Sequence, residues 1–217
     1  MAWRNKKIKE FRLYGVTDIK KYDERILKRI ETACTNGVDI IQLRSKKLTD
    51  QEMIRLGEKI RPITNKYKAL FFVNDRPDLA LAIQADGVHI GQDDMPVKIV
   101  RRLFSLANKH MFVGKSTHSF TQACSTAREA VDYIGVGPIF KTPTKATYKP
   151  VGTELIKHVA LHIRKPFVCI GGINSTNIQK VCAAGAGRVA VVRALFSASS
   201  TARAAQQLRK IIESYGN

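Results

Sequence analysis

Short apolar runs recur along the whole chain, and each is followed at once by polar, chemically capable residues. Ile40-Ile41 leads into Gln42, Arg44 and Lys46, and Leu70 to Val73 leads into Asn74 and Asp75. Val88 to Ile90 leads into Gln92, Asp93 and Asp94, Tyr133 to Phe140 into Thr142, Thr144 and Lys145, and Val168 to Ile170 into Gly171-Gly172. Runs this apolar suit parallel strands buried on both faces. Strand patterns at 11–17, 39–44, 69–74, 87–91, 111–116, 132–140, 166–171 and 188–193 alternate with helical patterns near 20–35, 49–66, 77–84, 96–106, 119–130, 153–164, 175–184 and 200–214. Each helix then serves as the crossover between parallel strands. Eight such units predict an α/β fold, a single (β/α)8 barrel over 11–217, whose active site lies at the C-terminal strand ends. The open doubly wound sheet is the alternative, weakened because no Gly-x-Gly-x-x-Gly follows the first strand.

Local signals agree with this segmentation. Thr49 with Glu52 reads as a capping box, and Asn36-Gly37 and Gly185 end helices. Ser119 is a candidate N-cap, and Pro77 and Pro96 fit first helical turns. A length of 217 residues, 44% hydrophobic and 25% charged, is that of one globular domain with no composition shift. No apolar stretch approaches the ~18 residues needed to span a bilayer. Residues 1–10 are basic and lack a hydrophobic signal region, which predicts a flexible Lys-rich tail. Cysteines 34, 124, 169 and 182 form no Cys-x-x-Cys pair and no zinc spacing, which suits reduced thiols in the cytoplasm. The net charge of +19 is spread mostly over helices and the tail, so solvated helix faces explain it. Weak non-specific nucleic-acid affinity follows from such charge, but no specific nucleic-acid motif is present.

The chemistry falls at the predicted strand ends. Asp75 ends the third strand and Asp93-Asp94 end the fourth, so a barrel brings these carboxylates together at one rim. Carboxylates that close repel unless a cation or proton intervenes, and Mg²⁺ takes one or two carboxylates plus substrate phosphates. Capping of the following helices is the plainer role for both acids. Arg44 and Lys46 alternate with Leu43 and Ser45 and point the same way, and Lys145 follows the sixth strand. Three cations and a metal at one mouth suit a pyrophosphate. Gly171-Gly172 after the seventh strand and Val192-Arg193 after the eighth occupy the recurrent phosphate site of barrels. Two anionic sites at one mouth suggest joining two phosphorylated small molecules with release of pyrophosphate. His89, inside an apolar strand, reads as a core or rim histidine.

Six segments carry a further likeness: Gln42 to Lys46, Asn74 to Arg76, Ala85 to Asp94, Gly114 to His118, Gly135 to Lys145 and Gly171 to Ile173. In order and content they resemble the motifs of the thiamine-phosphate synthase family, over about residues 11 to 200. The resemblance implies transfer of the aminopyrimidinylmethyl group of 4-amino-2-methyl-5-hydroxymethylpyrimidine diphosphate to the ring nitrogen of 4-methyl-5-(2-phosphoethyl)thiazole. It implies Mg²⁺ held by Asp75 and Asp94, and the pyrimidine diphosphate held by Gln42, Arg44, Lys46, Asn74, Ser116 and Lys145. Arg44, Lys46, Lys145 and Ser116 are its catalytic set, and Thr142, Pro143, Thr144, Gly172, Val192 and Arg193 its thiazole phosphate site. Arg193 departs from the pattern, since many relatives carry Ser there. The loop from Lys141 to Pro150 is long enough to act as a lid. The rival readings are a thiazole tautomerase of the same barrel family, with His118 as its acid–base residue, and a non-catalytic basic nucleic-acid-binding protein. A homodimer is compatible with all three.

Overall fold

The computed structural model describes residues 2–143 and 148–215. Eight parallel strands close into a barrel in sequence order: β1 Leu13–Val16, β2 Ile40–Leu43, β3 Leu70–Asn74, β4 Gly87–Ile90, β5 Phe112–Thr117, β6 Tyr133–Val136, β7 Phe167–Ile170 and β8 Val189–Val191. The ring is completed by β1 against β8, with Tyr14 opposite Ala190. Helices α2 Arg25–Thr35, α3 Asp50–Lys66, α4 Pro77–Ala82, α5 Val97–Leu106, α6 Phe120–Arg128, α7 Glu154–His162, α8 Ile178–Ala183 and α10 Thr201–Ser214 follow the strands. This is the (β/α)8 barrel expected from the strand–helix alternation. No described helix is long and apolar enough to cross a membrane.

Alternation of side chains along each strand divides the apolar residues into two cores. Outward residues such as Ile41, Leu43, Phe71, Val73, Val88 and Val113 pack beneath the helices. Inward residues, among them Tyr14, Ile40, Leu70, Phe72, Phe112 and Tyr133, fill the barrel. The rings need space, and glycines provide it. A methyl group at Gly114 would stand 2.2 Å from Cζ of Tyr133. Gly114→Ala is therefore expected to overpack the barrel and to cost about 1–3 kcal/mol, read as a lower denaturant midpoint at unchanged slope.

Helix boundaries follow local chemistry. The Thr49 hydroxyl accepts from the backbone N–H of Glu52, whose carboxylate accepts from that of Thr49, completing the expected capping box. Ser119 caps α6 through the N–H of Gln122, and Pro77 opens α4. The sixth strand is shorter than its apolar run suggests, ending at Val136 rather than 140. Pro138, which has no N–H to give a ladder, stands two residues beyond. A four-residue helix, α9 Arg193–Phe196, follows β8 and was not anticipated.

The N-terminal segment is a correction. Residues expected as a flexible tail form helix α1, Ala2–Glu10, which packs on the N-terminal end of the barrel. Ile8 is buried, Trp3 packs against the inner core, and Phe11 just beyond the helix is fully buried within it. Two ion pairs fasten it, Arg4 to Asp86 at 2.6 Å and Lys7 to Asp39 at 3.0 Å. Those acids belong to a repeating device. Asp39, Asp86 and Asp132 immediately precede β2, β4 and β6. Each accepts a backbone N–H near the start of the previous strand: Arg12 and Leu13 at 2.8 and 3.2 Å, Phe71 at 2.8 Å and Val113 at 2.7 Å. Each also meets an arginine from an outer helix: Arg209 at 2.5 Å, Arg61 at 3.0 Å and Arg101 at 2.7 Å. Before β8 the equivalent residue is Arg188, whose guanidinium donates to the Lys9 carbonyl of α1 at 2.6 Å.

Candidate active site

At the opposite end, the C-terminal ends of the strands enclose a cavity of about 320 Å³. Gln42, Arg44, Asn74, Asp75, Ser116, Thr142, Gly172, Val192 and Arg193 all line it, so strands distant in sequence deliver the expected residues to one place. Lys46 and Asp94 stand beside it and join it through Asp75, and Pro143 lies exposed in the loop after β6. Thr144 and Lys145 lie outside the described residues.

Arg44 is 6% exposed, although it is a charged residue at a strand end. Its backbone N–H donates to the Thr17 hydroxyl at 2.8 Å, which stitches the end of β2 to the end of β1. Its guanidinium pairs with Asp18, and Lys20 pairs with the other oxygen of that carboxylate at 2.8 Å. The result is a fixed, dehydrated guanidinium, of a kind that recognises phosphate oxygens through planar paired bonds. Lys46 is more exposed and reaches Asp75 with Nζ at 2.6 Å from Oδ2.

Asp75 has a left-handed backbone, φ 62°, which aspartate tolerates better than most residues. Its N–H donates to the His89 carbonyl at 2.8 Å, so the turn is tied to β4. Its carboxylate neighbours that of Asp94. Partial burial, and then this neighbouring acid, push the Asp94 carboxyl above the usual carboxylate range, while the Gly91 N–H opposes the shift from 2.6 Å. Two neighbouring carboxylates thus stand at the mouth, one of them paired with the Lys46 ammonium.

After β7, Gly171 and Gly172 take positive φ, 104° and 65°. A methyl group at Gly172 would stand 2.7 Å from the Lys141 carbonyl oxygen, so the turn packs directly on the loop after β6. His118 is bonded through Nδ1 to the Gly137 carbonyl, and its ring lies 4.2 Å from that of Tyr148. Val192 is the N-cap of α9 and Arg193 its first residue, and both line the cavity.

Several residues of the site escaped sequence reasoning. Asp18 follows β1 as the acids follow β3 and β4, so the rule that marked Asp75 also covered it, but no neighbouring motif drew attention to it. Tyr14 and Tyr133 fall within predicted strands, and both are buried. His89, expected as a core or rim histidine, sits where the inner core meets the cavity, between Tyr133 and Ser116.

A closed parallel barrel with a buried guanidinium, paired carboxylates and a glycine turn after β7 at one mouth defines a barrel enzyme that handles phosphorylated small molecules. A family model described as thiamine monophosphate synthase matches residues 13–195. The chain belongs to the thiamine-phosphate synthase family, transferases of thiamine biosynthesis. It is 41% identical over 207 residues to the thiamine-phosphate synthase of Chloroflexus aurantiacus, covering 94% of each chain. It is 38% identical over 211 residues to that of a Synechococcus strain, covering 96% of this chain but 59% of the longer relative. The structure matches thiamine phosphate pyrophosphorylase from Pyrococcus furiosus with a TM-score of 0.85 at 32% identity, covering 97% of this chain and 99% of the other.

Proposed function

We propose that this chain joins 4-amino-2-methyl-5-hydroxymethylpyrimidine diphosphate to 4-methyl-5-(2-phosphoethyl)thiazole, giving thiamine phosphate and pyrophosphate. The observation that carries the reading is the cluster of Arg44, Lys46, Asp75 and Asp94 at the mouth. A tautomerase acting on one monophosphate has no use for a metal-and-diphosphate set of this kind.

The C–O bond between the pyrimidine methylene and the diphosphate breaks first, and its electron pair leaves with pyrophosphate. The methylene carries the positive charge, which the aminopyrimidine ring spreads, and the thiazole nitrogen lone pair then forms the new C–N bond. No covalent nucleophile is required. Arg44, Lys46 and Lys145 hold the leaving group and stabilise the charge that grows on it. Asn74, Gln42 and Ser116 orient the pyrimidine. Thr142, Pro143, Thr144, Gly172, Val192 and Arg193 receive the thiazole phosphate.

The donor set at Asp75 and Asp94 suits Mg²⁺. Among the described residues no third acid, histidine or cysteine joins them, and Mg²⁺ favours sites of one or two carboxylates completed by water and substrate phosphate. The metal, when bound, neutralises charge developing on the pyrophosphate. Four free cysteines support a cytoplasmic setting.

The test is pyrophosphate release from the two substrates. Release that needs both substrates, stops with EDTA and returns with excess Mg²⁺ is the expected outcome. Release without the thiazole phosphate, or undiminished by chelation, would sink the reading.

A further inference from the structure

One line of hydrogen bonds runs through the barrel interior and meets the cavity at both ends. Gln42 Nε2 donates to the Tyr14 hydroxyl at 2.6 Å, and that hydroxyl lies 3.1 Å from the Tyr133 hydroxyl. Tyr133 in turn lies 2.9 Å from His89 Nδ1, and His89 Nε2 lies 2.9 Å from Ser116 Oγ. Gln42 and Ser116, the two termini, line the cavity, as do Tyr14 and His89 between them, although Tyr14 and Tyr133 are no more than 1% exposed. Burial raises the pKa of both phenols, so each brings one proton to the line throughout the neutral range.

Proton counting leaves few arrangements. Each tyrosine hydroxyl donates once, a neutral imidazole donates once and accepts once, and an unmatched buried donor costs about 1–3 kcal/mol. Because Gln42 gives its NH₂ to Tyr14, the Tyr14 proton goes to Tyr133 and the Tyr133 proton to His89 Nδ1. His89 then carries its proton on Nε2 and donates to Ser116 Oγ. The Ser116 proton is left to donate into the cavity, and Gln42 Oε1 is left to accept there. Reversing one bond alone sets donor against donor or acceptor against acceptor, so the two ends reverse together or not at all.

We propose that this buried line is a polarity lock: Tyr14, Tyr133 and His89 are positioning residues that hold Gln42 as an acceptor and Ser116 as a donor towards the substrate. The matching ligand edge offers a donor and an acceptor, as an exocyclic amine beside a ring nitrogen does. An oxo ring in its N–H tautomer offers the reverse pattern and leaves polar groups unmatched, and buried mismatches of this type discriminate strongly. The proposal deepens the synthase reading and rests on it for the identity of the substrate, but not for the direction of the line.

Two measurements test it. The first is the ¹⁵N spectrum of the His89 imidazole, which is independent of turnover. Wild type is expected to show the Nε2–H tautomer, and Tyr133→Phe a shift toward Nδ1–H, since Nδ1 loses its donor. An Nδ1–H wild type would overturn the lock whether or not the chain is a synthase. The second compares kcat/KM for the 4-amino pyrimidine diphosphate and its 4-oxo analogue. Tyr133→Phe is expected to reduce that ratio at least tenfold with the KM for thiazole phosphate unchanged. Tyr14→Phe is expected to do the same, and the double variant to lose no more than either alone. An unchanged ratio in a folded single variant, or losses that multiply, would overturn it. Wild type with the expected tautomer but no turnover of either compound would overturn the synthase reading alone. If Tyr133→Phe does not fold, Tyr14→Phe carries both measurements.

Discussion

Asp75→Asn is expected to lower kcat for pyrophosphate release by about 10²–10³-fold while leaving the fold intact, and Asp75→Ala to lose as much activity and some stability as well. The activity loss follows from the role proposed for the neighbouring carboxylates at the mouth. Asp75 pairs with Lys46 and neighbours Asp94, so its charge holds one of the cations and, in the proposed reaction, one side of the metal. Removing one stabiliser of transition-state charge typically costs about 2.7–4 kcal/mol. The stability difference comes from the backbone. At φ 62° asparagine is tolerated, whereas alanine brings a left-handed penalty of about 1–2 kcal/mol. Rates at saturating Mg²⁺ and denaturant midpoints for both variants separate the two effects. A midpoint for Asp75→Ala equal to that of Asp75→Asn would show that the turn bears no strain.

Arg44→Met is expected to lower kcat by a similar ~10²–10³-fold and also to destabilise the protein by about 1–3 kcal/mol. The second effect is below the 3–5 kcal/mol typical of a broken buried pair, because Lys20 still contacts Asp18 and that carboxylate keeps some access to water. Adding Asp18→Asn removes the abandoned charge. The double variant is therefore expected to recover most of the stability and none of the activity. Recovery of activity would mean that Arg44 acts only as a counter-ion to Asp18 and never meets the diphosphate. Calorimetric unfolding and steady-state rates on the same preparations decide this.

Much of the fold was legible because barrel strands announce themselves twice. Both faces are buried, so the runs are apolar throughout, and the chemistry follows each run at once. That is why Gln42, Asn74, Asp75 and Gly172 could be placed at one mouth before any geometry was known. Other features left weaker traces. Helix α1 holds on through Trp3 and Ile8 and through ion pairs to Asp86 and Asp39, so it lacks the repeating apolar stripe that marks an amphipathic helix. The run from Tyr133 to Phe140 looked like one long strand because residue type does not reveal where ladder partners end. The buried line through Tyr14, Tyr133 and His89 was hidden for a different reason. Inward aromatic residues spaced as in any strand look like core, and only the three-dimensional ring shows that their hydroxyls meet.

The aspartates before β2, β4 and β6 bind the barrel at the rim farthest from the cavity. Each closes a neighbouring pair of strands and clips an outer helix arginine in the same stroke. Acidic residues thus serve two trades at the two ends of one cylinder, fastening at the floor and reactivity at the mouth. An architecture divided in this way allows its upper loops to be exchanged, lengthened or given new specificity while the clasps below remain as they are.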